Sequence, residues 1–152
     1  MIGKMSFAGI ATLFICFFMV CNINGEEKNK GNTSNHMDKN ARTFIAYYFH
    51  GNFRCDNCKK IEEYSREAIE KYFTDELKAK KLTFTIINTD LPENNHYIED
   101  YQLYTRSLVI TEYSKGKQVR WKNLAKVWNY LNDKDGFYEY VKSEIENYLE
   151  QM

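Results

Sequence analysis

Apolar and polar positions alternate with two different periods from residue 42 onward, and the periods predict a series of strands and helices. Residues 43–49 form an apolar, β-branched and aromatic run that is typical of a strand. Residues 59–73 instead place their apolar side chains on one helical face: Ile61, Tyr64, Ala68, Ile69 and Tyr72. The first two predicted elements are therefore a buried strand and an amphipathic helix.

The same patterns continue to the end of the chain. Residues 74–77 are predicted to start a new helix or to extend the preceding one. Residues 133–136 are predicted to form a break before the final helix. Further strands are predicted at 81–88, 107–113 and 118–121, and further helices at 93–103, 127–131 and 137–149. The order β-α-β-α-β-β-α predicts an α/β domain. Its four-stranded mixed sheet should carry helices on both faces, because a parallel βαβ unit crosses over with a right-handed connection.

Residues 1–25 have a different composition and resemble a secretory leader. A short basic start with Lys4 precedes an uncharged apolar stretch at residues 7–20, and Gly25 is a suitable residue before a cleavage point. We expect a signal peptide or membrane anchor, and a periplasmic or cell-envelope location. Cys21 follows the apolar stretch where a bacterial lipoprotein carries its lipid, although Val20 before it is larger than that pattern favours. Contact with a membrane is expected only through this segment, if it is retained or lipidated at Cys21.

Residues 26–42 are polar and charged, so we expect a flexible linker before a single domain at 43–152. Loss of Lys4 with the leader leaves 20 basic groups against 21 acidic ones. A chain with this balance has no basic field for nucleic acid or for an anionic membrane surface. Nucleic acid is therefore excluded as an expected partner.

Cys55 and Cys58 are the strongest candidates for chemistry, because they fall between the first strand and the first helix. Free backbone N–H groups and the positive end of the helix dipole favour a thiolate at such a position. A disulfide that closes so small a loop removes only about 2 kcal/mol of unfolded-state entropy, so a structural role is the weaker interpretation. We expect Cys55 to attack and Cys58 to resolve the mixed disulfide, with no cofactor beyond the disulfide itself.

His50 lies five residues before Cys55 and has two interpretations. The simpler one is a histidine at the end of a strand that bonds to a nearby loop. The other makes His50 a third metal ligand with Cys55 and Cys58, since thiolates and imidazole suit copper(I) or zinc. A soft-metal binding module is therefore an alternative to the oxidoreductase, although a zinc knuckle would need a fourth ligand.

The dithiol and the order of elements resemble those of thioredoxin-like proteins. A closer resemblance is to a small exported family, the ArsF-type subunit of a nitrophenyl compound nitroreductase, and it spans roughly residues 43–150. Residues 48–52, 88–94, 116–117 and 121–124 carry it. The resemblance implies a thioredoxin-like fold and protein thiol or disulfide partners. It also implies a second alternative function, that of an accessory subunit in a reductase complex. No Gly-rich phosphate loop for a flavin or nicotinamide follows any predicted strand.

Two features separate this chain from ordinary thioredoxins. Those proteins place a cis-proline before the strand that faces the dithiol, where this chain has Ser107, and its only proline is Pro92. A trans bond is expected at Ser107, because a cis bond without proline costs about 3 kcal/mol. Thioredoxins also carry a buried acid on the first strand, and Ala46, Tyr47 and Phe49 occupy that region here.

Overall fold

The computed structural model describes residues 42–151. Its helical segments include two 3-10 helices, at Pro92–Asn94 and Ala125–Tyr130. The remaining elements, in chain order, are β1 (Arg42–His50), α1 (Asp56–Tyr72), α2 (Thr74–Lys78), β2 (Leu82–Asn88), α3 (His96–Asp100), β3 (Ser107–Ser114), β4 (Lys117–Asn123) and α4 (Lys134–Glu150).

The four strands form one mixed sheet in the order β2-β1-β3-β4. β1 pairs in parallel with β2, while β3 is antiparallel to both β1 and β4. His50 therefore lies beside Asn88, and Phe49 beside Ser107, at one end of the sheet. The predicted strand number, order of elements and mixed pairing are confirmed, and the domain has a thioredoxin-like fold.

Alternation along β1 sends its side chains to two separate cores. Phe44, Ala46 and Tyr48 enter the larger core, which also contains the inner residues of α1 and α4. Tyr47 and Phe49 enter a smaller aromatic core, where they pack on Val109 and on Tyr101, the residue that follows α3. Helices thus cover both faces of the sheet, as predicted.

Several element ends differ from the sequence prediction, and capping explains two of them. α1 begins at Asp56 rather than at residue 59, because Cys55 serves as its N-cap. Residues 133–136 were predicted to be a non-helical break before the final helix. This was wrong for all of them except Asp133, because residues 134–136 belong to α4. The Asp133 Oδ1 atom accepts a hydrogen bond from Gly136 N at 2.9 Å and starts α4 at Lys134.

The other differences are smaller. The helix predicted at 93–103 divides into the 3-10 helix at Pro92–Asn94 and the five-residue α3, and Gln102 beyond α3 has a positive φ of 49°. β1 begins at Arg42, which was predicted as the last linker residue, and β4 is longer than the predicted strand at 118–121. The predicted leader, most of the predicted linker and Cys21 lie outside the described residues. Among residues 42–151, the helices are all too short or too polar to cross a bilayer.

A buried carboxylate joins the strands at the end of the sheet away from His50. Glu112 is 2% exposed. Its Oε1 atom lies 2.5 Å from Arg42 Nε, and its Oε2 atom lies 2.6 Å from Arg120 Nε. Arg120 also donates a 2.9 Å hydrogen bond to the carbonyl oxygen of Tyr148 near the end of α4. The hydrogen bond from Arg42, together with that from Arg120, holds the pKa of Glu112 below its ordinary value despite burial. This network ties β1, β3, β4 and α4 together.

Candidate functional site

The two cysteines lie at the start of α1 and are joined by a disulfide bond, with their Cα atoms 5.0 Å apart. Cys55 has the extended backbone of an N-cap residue, with φ −73° and ψ 163°. Its Sγ atom accepts a hydrogen bond from Cys58 N at 3.1 Å. A cap sulfur in this position meets free N–H groups and the positive end of the helix dipole, which favour a thiolate when the pair is reduced.

The two sulfurs differ in their access to solvent. Cys55 is partly exposed, whereas Cys58 is only 3% exposed and belongs to the buried interior. A partner molecule can therefore approach Cys55 from solvent but cannot reach Cys58 without local opening. This difference fits the roles predicted from the sequence, in which Cys55 attacks and Cys58 resolves.

Tyr48 on β1 contacts the first turn of α1 from the side of the sheet. Its side chain is fully buried, and its hydroxyl donates a 2.6 Å hydrogen bond to the carbonyl oxygen of Cys58. Burial raises the pKa of Tyr48 to about 12, so the phenol keeps its proton and remains a donor at neutral pH. This hydrogen bond from β1 thereby holds the first turn of α1, which contains Cys58, at a fixed distance from the sheet.

The loop that leads into Cys55, residues 51–54, is held by side chains from the end of β2 and beyond. Asn52 N donates to Asp90 Oδ2 at 2.6 Å, and Asn88 Nδ2 donates to Asn52 Oδ1 at 2.8 Å. A Cβ atom at residue 51 would lie 2.7 Å from Asp90 Oδ2, so a larger residue there would displace the carboxylate that binds Asn52 N. These contacts arise because parallel β1 and β2 end at the same edge of the sheet.

The segment before β3 also contacts this loop, at the position where thioredoxins carry their cis-proline. Arg106 donates from its Nη2 atom to the Phe53 carbonyl oxygen at 3.1 Å, and Trp128 Nε1 donates to the Arg106 carbonyl oxygen at 3.1 Å. Ser107 is 3% exposed, and its hydroxyl donates to the Thr105 carbonyl oxygen at 2.9 Å. Residues 42–151 contain no cis peptide bond, so the bond before Ser107 is trans. Internal hydrogen bonds thus occupy two carbonyl groups of this segment.

The basic side chains near the dithiol are largely engaged with other groups. Arg54 forms a salt bridge with Glu62 on α1, and Lys60 Nζ donates to the carbonyl oxygen of Leu131 at 3.3 Å. Lys59 is exposed. The cation adjacent to Cys55, Arg54, is thus in contact with a carboxylate.

The structure agrees with the simpler interpretation of His50, a histidine at the end of a strand that bonds to a nearby loop. Its Nδ1 atom lies 2.9 Å from the carbonyl oxygen of Gly51. The part of the chain that the structure describes contains no group of three or more His, Cys, Asp or Glu side chains arranged to hold a metal. Copper(I) or zinc binding by Cys55, Cys58 and His50 concerns the reduced dithiol, and it stays a prediction.

An open cleft of about 140 Å³ adjoins this end of the sheet, between the ends of β1 and β2 and the segment before β3. His50, Asp90 and Arg106 contribute polar groups to its lining. Two aromatic side chains near it are unusually open to solvent, Phe53 at 75% and Tyr104 at 95%. Charged groups and exposed aromatic side chains thus occur together at the end of the sheet where the dithiol loop begins.

Sequence reasoning missed the side chains that support the dithiol: Tyr48, Asp90, Arg106 and Glu62. One signal was available for Asp90. Parallel pairing of the first two strands brings their ends together, so a polar Asn-Thr-Asp run after the second strand should meet the loop after the first. The contacts of Tyr48, Arg106 and Glu62 depend on side-chain direction, which the hydrophobic pattern does not encode.

Comparison with known proteins gives matches to solved structures only. Thioredoxin O2 from Arabidopsis thaliana in the oxidized state matches with 15% identity and a TM-score of 0.35, over 53% of this chain and 63% of that one. Fasciola hepatica thioredoxin matches with 16% identity and a TM-score of 0.37, over 67% of this chain and 84% of that one. The chain thus spans less than two thirds of the Arabidopsis protein. No protein-family model and no curated protein matches, so the resemblance to the ArsF-type family stays a prediction.

Proposed function

We propose that this protein is a thiol–disulfide oxidoreductase that acts through Cys55 and Cys58. One observation carries the proposal: Cys55 caps α1 and is partly open to solvent, while its disulfide partner Cys58 is buried behind it. A solvent-facing sulfur at a helix N-terminus is set up to be a nucleophile and a stable leaving group. The partners of such a reaction are protein thiols and disulfides.

In the reductive direction, the Cys55 thiolate attacks a disulfide of the partner and forms a mixed disulfide, and one partner thiolate leaves. The Cys58 thiol then loses its proton and attacks the Cys55 sulfur. This step releases the second partner thiolate and closes the Cys55–Cys58 disulfide. Two electrons pass to the partner, and a thiol donor must return two electrons to the protein before the next turnover.

The fold does not depend on this disulfide for its core. Fully buried side chains from β1, α1, β3 and α4, including Phe44, Ile61, Ile110 and Val141, already form a continuous interior. The disulfide closes a four-residue loop, and in the chain-entropy model this raises the free energy of unfolding by only about 2 kcal/mol. A chemical role therefore explains the pair better than a structural one.

Catalysed reduction of a protein disulfide tests the proposal. With a small dithiol as electron donor, the protein should speed the reduction of a disulfide-bonded substrate protein well above the rate of the donor alone. Serine at position 55 should remove this acceleration, because the nucleophile is lost. Equal rates with wild type and Cys55→Ser would refute the assignment.

Export and membership of a reductase complex are the finer parts of the proposal. The apolar stretch at residues 7–20 supports export, and the resemblance to the ArsF-type family supports an accessory role in a complex. N-terminal sequencing of the mature protein should find a start after residue 20 or residue 25. Soluble cytoplasmic protein that retains Met1 would contradict export, and failure of any flavoprotein to co-purify would contradict the complex.

A further inference from the structure

A carboxylate contacts the cation next to the attacking cysteine. Arg54 immediately precedes Cys55, and its Nη2 atom donates to Glu62 Oε2 in the second turn of α1. The other Glu62 oxygen, Oε1, lies 3.4 Å from Arg66 Nη2. The Glu62 side chain is only 18% exposed, compared with 29% for Arg54 and 44% for Arg66. Glu62 is thus the least exposed member of a small charge cluster beside the dithiol.

The inner part of the Arg54 side chain is enclosed by the protein. Its Nε atom is buried and has no hydrogen-bond partner within residues 42–151. Tyr48 lies close enough to Arg54 and Glu62 that their charges act on its hydroxyl in opposite directions, and that hydroxyl bonds to the Cys58 carbonyl oxygen. No hydrogen bond joins Arg54 to the Cys55 sulfur in the described part of the chain, so the guanidinium can act on that sulfur only through its charge.

We propose that Glu62 is a positioning residue for the dithiol: it holds the Arg54 guanidinium in an ion pair and thereby limits how strongly that cation stabilises the Cys55 thiolate. This inference rests on the proposed function, because a structural disulfide would have no thiolate to tune. It assigns Glu62 a role in setting how oxidising the disulfide is.

The physical consequence follows from the charge balance. If Glu62 is neutralised, the positive charge of Arg54 next to Cys55 is no longer matched, and the thiolate becomes more stable relative to the thiol. Greater stability of the reduced form makes the disulfide a stronger oxidant. Other charged or titratable groups in the segments that adjoin the dithiol include Tyr48, His50, Asp56, Lys59, Lys60, Glu63, Asp90 and Arg106.

The test compares Glu62→Gln with Glu63→Gln in the full-length chain. Glu63 is exposed, forms no salt bridge among the described residues and carries the same charge on the adjacent position of α1. In a Cys58→Ser background, the pH midpoint for alkylation of Cys55 by iodoacetamide should fall by about half a unit to one unit in Glu62→Gln. With both cysteines present, and at a pH above that midpoint, the exchange equilibrium with glutathione should shift about three- to tenfold toward the reduced dithiol. Glu63→Gln should change both quantities by much less.

Arg54→Gln separates action through Arg54 from a direct effect of the Glu62 charge. If Glu62 acts through Arg54, the midpoint shift caused by Glu62→Gln should be clearly smaller when position 54 is already glutamine. Equal shifts in both backgrounds, or no shift in either, would overturn the inference. The alkylation midpoint needs no catalytic turnover, so it can fail while the oxidoreductase proposal stands, and an inactive dithiol can still show the shift.

Discussion

Cys58→Ser should accumulate a stable mixed disulfide between Cys55 and a partner protein. The variant retains the partly exposed sulfur at the start of α1 but lacks the thiol that resolves the intermediate. We expect non-reducing electrophoresis to show adducts that disappear on reduction, and mass mapping to place the bond at Cys55. Wild type should show few or none, because Cys58 closes the internal disulfide before the complex is isolated.

Cys55→Ser is the matched control for the trapping experiment. It retains one cysteine of the pair, but that cysteine is 3% exposed and cannot readily meet a partner. We expect several-fold less adduct than with Cys58→Ser. Mapping to Cys55 also separates true trapping from any bond through Cys16 or Cys21, if the leader is retained. Equal adduct yields from the two variants would show that the roles of Cys55 and Cys58 are not distinct.

Glu112→Gln should cause the largest loss of stability expected from a single charge substitution in this domain. The carboxylate is 2% exposed and contacts both Arg42 and Arg120, so glutamine leaves two guanidinium groups without their anion. Breaking a buried ion pair by removal of one partner costs about 3 to 5 kcal/mol. Because both arginines are about 30% exposed and can regain water, we expect roughly 2 to 3 kcal/mol. Thermal unfolding should then begin roughly 10 °C lower.

The effect of Glu112 should depend on pH in a defined direction. The pKa of Glu112 is lowered in the folded protein, mainly by the hydrogen bond from Arg42. Its stabilising contribution is therefore complete above the carboxyl pKa of the unfolded chain, about 4.3, and is lost as the pH falls through the lower folded value. The difference in unfolding free energy between wild type and Glu112→Gln should be constant near neutral pH and narrow below about pH 4.

Glu146→Gln is a suitable control for this prediction. Glu146 is 45% exposed and lies 3.9 Å from Lys142 in an i,i+4 pair on the surface of α4. Its removal should change stability by less than about 0.5 kcal/mol. An equal loss of stability in the two variants would contradict the importance assigned to the buried network. Glu112 lies five positions after Ser107 in β3, about 17 Å along the strand, so Glu112→Gln should leave the dithiol reaction unchanged.

The hydrophobic pattern was sufficient to predict most of the sheet, because β1, β2 and β3 are rich in β-branched and aromatic residues and α1 and α4 each have one apolar face. It failed where polar residues have a structural role. Asp133 and Gly136 resemble a loop in sequence, but the Asp133 side chain caps the N-terminus of α4. Cys55 likewise caps α1, which moves the start of that helix to Asp56.

The sequence identified the sulfurs of the site but not the groups that support them. A strand followed by two cysteines and a helix is a local pattern, so it can be read directly. By contrast, Tyr48 contacts Cys58 across 10 residues of sequence, and Arg106 contacts Phe53 across 53. Such contacts depend on strand register and on which face each side chain occupies, and these are fixed only when the whole sheet forms.

The reduction potential of the Cys55–Cys58 pair tests the central claim most directly. The full-length protein would be equilibrated in glutathione and dithiothreitol buffers of graded potential, and the free thiols at positions 55 and 58 counted by alkylation and mass spectrometry. A redox-active pair should show a reversible two-electron transition in the folded protein at a potential above about −300 mV. A disulfide that resists reduction below that potential, and opens only when the protein is unfolded, would contradict the account and identify the bond as structural.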